Sequence, residues 1–121
     1  RKILNESDVL DLIKKYGFGV YHMEDLSVEE QISLCNSAEK IIAPHGAGLV
    51  NMVFCSSPCQ VFEIYPRSYL DSSFRILANV LNHDYHCMVG DDLSVPSQDP
   101  QKEDIIVSVE KIEDWLRKYC T

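Results

Sequence analysis

Lys40-Ile41-Ile42-Ala43-Pro44-His45-Gly46-Ala47-Gly48-Leu49-Val50-Asn51-Met52-Val53-Phe54 is the stretch whose reading decides the fold. Lys40 to Pro44 is a near-continuous apolar run, suited to a strand of a sheet covered on both faces. It breaks at His45-Gly46-Ala47-Gly48, and an apolar-rich helix is expected from about Gly48 to Phe54. A strand that breaks into glycines and re-forms as a helix exposes backbone N–H groups at the helix's positive end. Such a turn can hold an anion, most often a phosphate.

The same alternation continues outward. Upstream, Arg1 to Leu4 reads as the end of a strand. Asn5 stands at the cap of a helix whose apolar stripe is Val9, Leu10, Leu12, Ile13 and Tyr16. Gly17 stops it, and Phe18 to Met23 reads as a short strand. Ser27 and Glu30 form a capping-box pair at the head of a helix running to about Ala38. Downstream, Gln60–Tyr65 is a strand stopped by Pro66, Ser72–Leu81 a helix and Asp84–Val89 a strand. Asp91–Gln101 is a Pro-, Ser- and Asp-rich loop, and Asp104–Tyr119 a closing helix. Five short strands alternating with helices predict an α/β fold: a Rossmann-like three-layer sandwich around a parallel sheet. The whole of 1–121 reads as one domain.

Composition narrows the function. The formal net charge of −8 argues against nucleic acid as a partner. No apolar run approaches the roughly 20 residues of a membrane span. Arg1-Lys2 is followed by only two apolar residues, so no signal peptide is read there. Arg1 is not a natural start, and the chain reads as a fragment of something longer. Five cysteines, an odd number, argue against a full disulfide framework and favour a reducing, cytoplasmic compartment. The alternative is the Golgi or endoplasmic reticulum lumen. Cys55-x3-Cys59 with His83, His86 and Cys87 matches no common zinc spacing, so no metal is assigned.

Ligands of open parallel sheets sit beyond the carboxyl ends of the strands. Two such ends carry polar groups here: Pro44-His45-Gly46-Ala47-Gly48, and Glu63 with Tyr65-Pro66-Arg67. Glu63 lies 17 residues past Gly46, near the spacing at which an acid bonds ribose hydroxyls in dinucleotide folds. A nucleotide spanning both ends would set phosphate on Gly46–Gly48 and ribose near Glu63. Asn51 would donate to the ligand, Arg75 would reach a phosphate, and Arg67 at the second strand end would join the substrate-binding set. Structural alternatives stand beside each. His45 could satisfy a turn carbonyl, and Gly46 and Gly48 could serve positive φ. Glu63 could pair with Arg67 or Arg75, Asn51 could bond back to the turn, and Arg75 could sit on a solvated face. His83 and His86 read as surface histidines.

Asn5-Glu6, Gly17-Phe18, Glu24-x-Leu26-Ser27 with Gln31, Pro44-His45-Gly46-Ala47-Gly48-Leu49 with Asn51 and Phe54, and Glu63-Ile64-Tyr65-Pro66 occur in that order. Over roughly residues 1 to 90 this combination resembles the C-terminal part of the glycosyltransferase family 61 enzymes. That group includes plant xylosyl- and arabinosyltransferases, animal O-linked N-acetylglucosaminyltransferases and bacterial capsular polysaccharide proteins. The resemblance implies one half of a two-domain GT-B fold that binds a UDP-sugar and needs no metal or other cofactor. The implied reaction is inverting transfer to a hydroxyl of a glycan or protein acceptor. It places the diphosphate on His45 to Gly48 and the ribose or uracil side on Glu63. It names no catalytic base, His45 being the best candidate. A lone domain would lack half the cleft and be inactive, and its uncovered surface could pair two copies. Two other classes compete. A hydrolase using the turn as an oxyanion hole lacks a G-x-S-x-G elbow. A non-enzymatic interaction or nucleotide-binding module would need the turn only for structure.

Overall fold

The computed structural model describes residues 2–56, 58–91 and 104–120. Among them three strands form one parallel sheet: β1 (Lys40–Pro44), β2 (Gln60–Tyr65) and β3 (Asp84–Val89), in the order β1-β2-β3. The register sets Ala43 beside Glu63 and Glu63 beside Cys87. The described residues also form α1 (Glu6–Lys15), α2 (Val28–Ser37), α3 (Ser73–Val80) and α4 (Val109–Tyr119).

Successive residues of a strand face opposite sides of the sheet, and this parity builds two cores. Ile64 points into a core made with Val9, Leu12 and Ile13 of α1 and Ile112 and Leu116 of α4. Val61 points the other way, into a core with Leu49, Met52, Cys59 and Ala78. Each fully buried side chain such as Ile64 or Leu116 contributes about 1.5–3 kcal/mol relative to exposure. The sheet is therefore covered on both faces, as the apolar strands predict. The central strand β2 is the most buried, with five of its six residues inside.

Among the described residues, two of the five expected strands do not form. Ile3 makes only an isolated parallel bridge to Ile105. The segment from Phe18 to His22 pairs with no strand among the described residues, and a single turn of 3-10 helix follows at Met23–Asp25. Its sequence suits a strand, but a strand needs a neighbour to satisfy its backbone. The closing helix is shorter than expected. Asp104–Ser108 is extended instead, tied down by Leu4 N–H to Ile105 O (2.7 Å) and Asp91 N–H to Ile106 O (2.7 Å). Most of the expected Asp91–Gln101 loop lies outside the described residues.

Local signals account for the ends of the elements. Ser27 Oγ accepts from Glu30 N–H, and the Glu30 carboxylate accepts from Ser27 N–H, each at 3.1 Å. Gly17 adopts the left-handed conformation (φ 86°) that stops α1. Asn5 does not cap α1 with its side chain. Its amide instead donates to Val107 O (2.7 Å) and accepts from Val107 N–H (3.1 Å), joining the start of the chain to the lead-in of α4.

Candidate functional site

Parity also assembles the site. Glu63 and Tyr65 share the face of β2 that carries Val61, and Tyr85 of β3 lies on that same face. His45 follows β1 directly, its N–H bonded to Ile64 O at 2.8 Å. His45 Nδ1 donates to Glu63 Oε2 at 2.6 Å, and the Tyr85 hydroxyl donates to Glu63 Oε1. Glu63 is fully buried and His45 is 7% exposed. Both oxygens of a buried carboxylate are thus satisfied by charge-assisted bonds. The Glu63 bond at Nδ1 fixes the orientation of the ring.

Three aromatic rings fix the imidazole plane. Tyr65 stacks on it (centroids 5.3 Å, planes 22° apart), Tyr69 meets it edge-on at 5.6 Å, and Phe74 of α3 lies at 5.3 Å. The Tyr65 hydroxyl donates to Asp71 O at 2.5 Å and touches the Tyr85 hydroxyl at 3.2 Å. Burial pushes the Tyr65 phenol up to about 12 and the Tyr85 phenol higher still, reinforced by Glu63. Both hydroxyls therefore stay protonated over any working pH. Asp71 accepts from Ser73 N–H (2.9 Å) at the start of α3, and that bond holds its carboxyl below the usual range, helped by nearby His45.

The glycine turn opens a 3-10 helix, Ala47–Phe54, rather than an α-helix. Gly46 is extended (φ 172°) and Gly48 lies within the helix, so the positive-φ alternative does not apply to either. A Cβ on Gly48 would meet nothing within 4 Å, and one on Gly46 only Pro44 O at 3.9 Å. Neither glycine is required by backbone strain or internal packing. The space before them is open, and both line a cavity of about 840 Å³ beside β1.

The expected residues separate into two groups. His45, Gly46, Ala47, Gly48 and Glu63 lie at one sheet edge, as read. Glu63, however, stands behind His45, with no oxygen presented to a ribose, and its partner is His45 rather than Arg67 or Arg75. Asn51 donates its amide to Gln31 Oε1 (3.0 Å), and Gln31 donates to Met23 O (2.9 Å) and Leu26 O (3.2 Å). Asn51 thereby anchors the 3-10 helix to the turn before α2. Arg67 and Arg75 are exposed, Arg67 two residues past β2 and Arg75 next to Phe74.

Sequence reasoning placed Tyr65 at this strand end without a role and missed Tyr69, Phe74 and Tyr85, whose partnership depends on register. It also misplaced His83. This residue is buried; its Nδ1 accepts from Cys59 N–H (3.1 Å) and its Nε2 donates to Met52 O (3.1 Å). It pins the 3-10 helix to the start of β2. Among the described residues, no three His, Cys, Asp or Glu side chains converge to hold a metal ion.

The family model described as Glycosyltransferase 61 matches residues 1–62. An EGF domain-specific O-linked N-acetylglucosamine transferase of Gallus gallus is 31% identical over 80 residues, covering 59% of this chain and 15% of the relative. A β-1,2-xylosyltransferase of Oryza sativa subsp. japonica is 36% identical over 72 residues, covering 59% and 13%. A β-1,2-xylosyltransferase of Arabidopsis thaliana is 25% identical over 100 residues, covering 72% and 19%. The chain thus spans less than a fifth of the length of these relatives.

Proposed function

The chain belongs to glycosyltransferase family 61, and from that premise we propose that it is the donor-binding, C-terminal half of a GT-B-type enzyme. The enzyme moves a sugar from a UDP-sugar to a glycan or protein hydroxyl, with inversion and without a metal. The diphosphate lies on the N–H groups of Gly46 to Gly48. His45 Nε2 meets a phosphate oxygen, and Arg67 and Arg75 supply positive charge from the next strand end and α3. Departure of UDP leaves negative charge on the diphosphate, and fixed N–H donors with a locked imidazole stabilise it without reorganisation. Glu63 and Tyr85 set the tautomer and plane of His45. Their part is positioning.

The observation that carries this reading is the pair of glycines with open space in front, beside a histidine held by a buried carboxylate and three rings. A fold that needed the turn only for structure would use glycine where φ or packing demanded it.

Calorimetric titration of UDP into the folded chain tests the proposal. Saturable binding is expected, weakened about tenfold or more by His45→Ala, the loss of one charge-assisted bond to phosphate. An unchanged affinity in a folded His45→Ala chain would remove His45 from the donor site.

A further inference from the structure

We infer that Cys35 and Cys55 are a dithiol site that closes to a disulfide by exchange with a low-molecular-weight disulfide, stapling α2 to the 3-10 helix that follows the glycine turn. Helix spacing brings the pair together. Gln31 and Cys35 stand four residues apart on α2, about one turn, and so share a face. Asn51 and Cys55 stand four apart along the Ala47–Phe54 helix and its C-cap. The Gln31–Asn51 amide bond (3.0 Å) is the first rung between the two segments, and the Cys35–Cys55 contact is the next. Two further bonds bracket that contact. Asn36 Nδ2 donates to Phe54 O at 3.3 Å, and Ser56 Oγ donates to Asn36 O at 3.2 Å. The residue after Cys35 thus grips the chain on both sides of Cys55.

Three thiols meet here, and their surroundings separate them. The Cys55 thiol is hydrogen-bonded to those of Cys35 and Cys59. Cys59 is fully buried in the core with Val61, Leu49 and Met52. Its backbone is fixed at the head of β2 by His83 Nδ1 (3.1 Å) and Asp84 N–H (2.9 Å), and its thiol donates to Gln60 O at 3.6 Å. Cys55 follows the last residue of the 3-10 helix and is the one of the three that is partly exposed. Cys35 is buried. An external disulfide therefore meets Cys55 first, and Cys35 is placed to resolve the product.

The exchange runs in two steps. The Cys55 thiolate attacks one sulfur of a disulfide RSSR, such as glutathione disulfide, and releases RS⁻. The Cys35 thiolate then attacks the Cys55 sulfur of the mixed disulfide and releases the second RS⁻. The protons lost by the two cysteines end on two RSH; the cysteine pair gives up two electrons and RSSR takes them. Burial and the neighbouring Cys59 push the Cys55 thiol up to about 12, and burial raises Cys35 as well, so little thiolate is present at neutral pH. The bond is thus slow to form on the folded chain and is set by the redox poise in which the chain folds. It closes a loop that contains β1 and the glycine turn. The chemistry is the same whatever ligand that turn holds.

Equilibration of the reduced chain with mixed reduced and oxidised glutathione at mildly alkaline pH, followed by alkylation and tryptic mapping, tests this. Trypsin cuts after Lys15, Lys40 and Arg67, so Cys35 lies on fragment 16–40 while Cys55 and Cys59 share fragment 41–67. A disulfide-linked pair of these two fragments is expected, retained in Cys59→Ala and lost in Cys55→Ala. The oxidised chain should also melt about 10 °C above its reduced form. A bridge closed within 41–67, a linked pair that survives Cys55→Ala, or alkylation of all three thiols after equilibration would overturn the inference. So would a linked chain that melts below the reduced one, because a bond matched to the native contact does not strain the fold.

Discussion

Glu63 is the residue on which the site turns, because it has no function of its own at the surface. It is a buried carboxylate whose two oxygens are spent on His45 and Tyr85. Removing one partner of such a group leaves the other uncompensated. Glu63→Ala is expected to cost about 3–5 kcal/mol in urea unfolding. Tyr85→Phe, which deletes one donor to a charged acceptor, should cost about 2 kcal/mol and leave the fold intact. In that variant the Nδ1–H resonance of His45 should survive, because its own bond to Glu63 is untouched. His83→Ala orphans the Cys59 N–H and the Met52 carbonyl, and about 2–3 kcal/mol is expected there as well. The sequence marked Glu63 by its spacing from Gly46 and marked His45 by its place in the turn. It could not join them. Their contact depends on the register of β1 against β2, and that register is set by pairing across chain that folds between them.

At the scale of elements, the strongest local signals translate directly. Ser27 and Glu30 close a full capping box, and Ser27→Ala should destabilise the chain by about 1 kcal/mol. The Glu30 carboxyl is held below its ordinary value by the Ser27 bonds. Its folded pKa is depressed, so its stabilisation is complete above the unfolded value of 4.5 and is lost as pH falls through the lower folded value. Thermal melts between pH 6 and pH 3 should show the parent losing more stability than Glu30→Gln over the acid end. The weaker signals went astray for stated reasons. Phe18–His22 has a strand's composition without a strand's partner. Asn5 found Val107, 102 residues away, in place of its own helix. The helix after the glycines tightened to 3-10, where Gly48, Val50, Asn51 and Val53 offer poor α-helix propensity.

For the molecule as a whole, the parallel sheet with helices on both faces was legible in the alternation of elements, and two of the anticipated strands were not realised. The open flank of β1 and the glycine turn at its end line the same cavity. On the proposed reading, an acidic chain binds a diphosphate by concentrating positive potential locally, at backbone N–H groups, His45 and the two arginines. Raising salt from 50 to 500 mM should therefore weaken UDP binding, read as a rising Kd at constant melting temperature. The central claim is that the glycines are there for a ligand and not for the fold. Titration of UDP into Gly48→Ala beside the parent tests it most directly. The account predicts a variant as stable as the parent within about 0.5 kcal/mol that binds UDP at least about tenfold more weakly, because the new methyl enters space the fold leaves open. Equal affinity in the two proteins, or no binding by the folded parent at millimolar UDP, would contradict it.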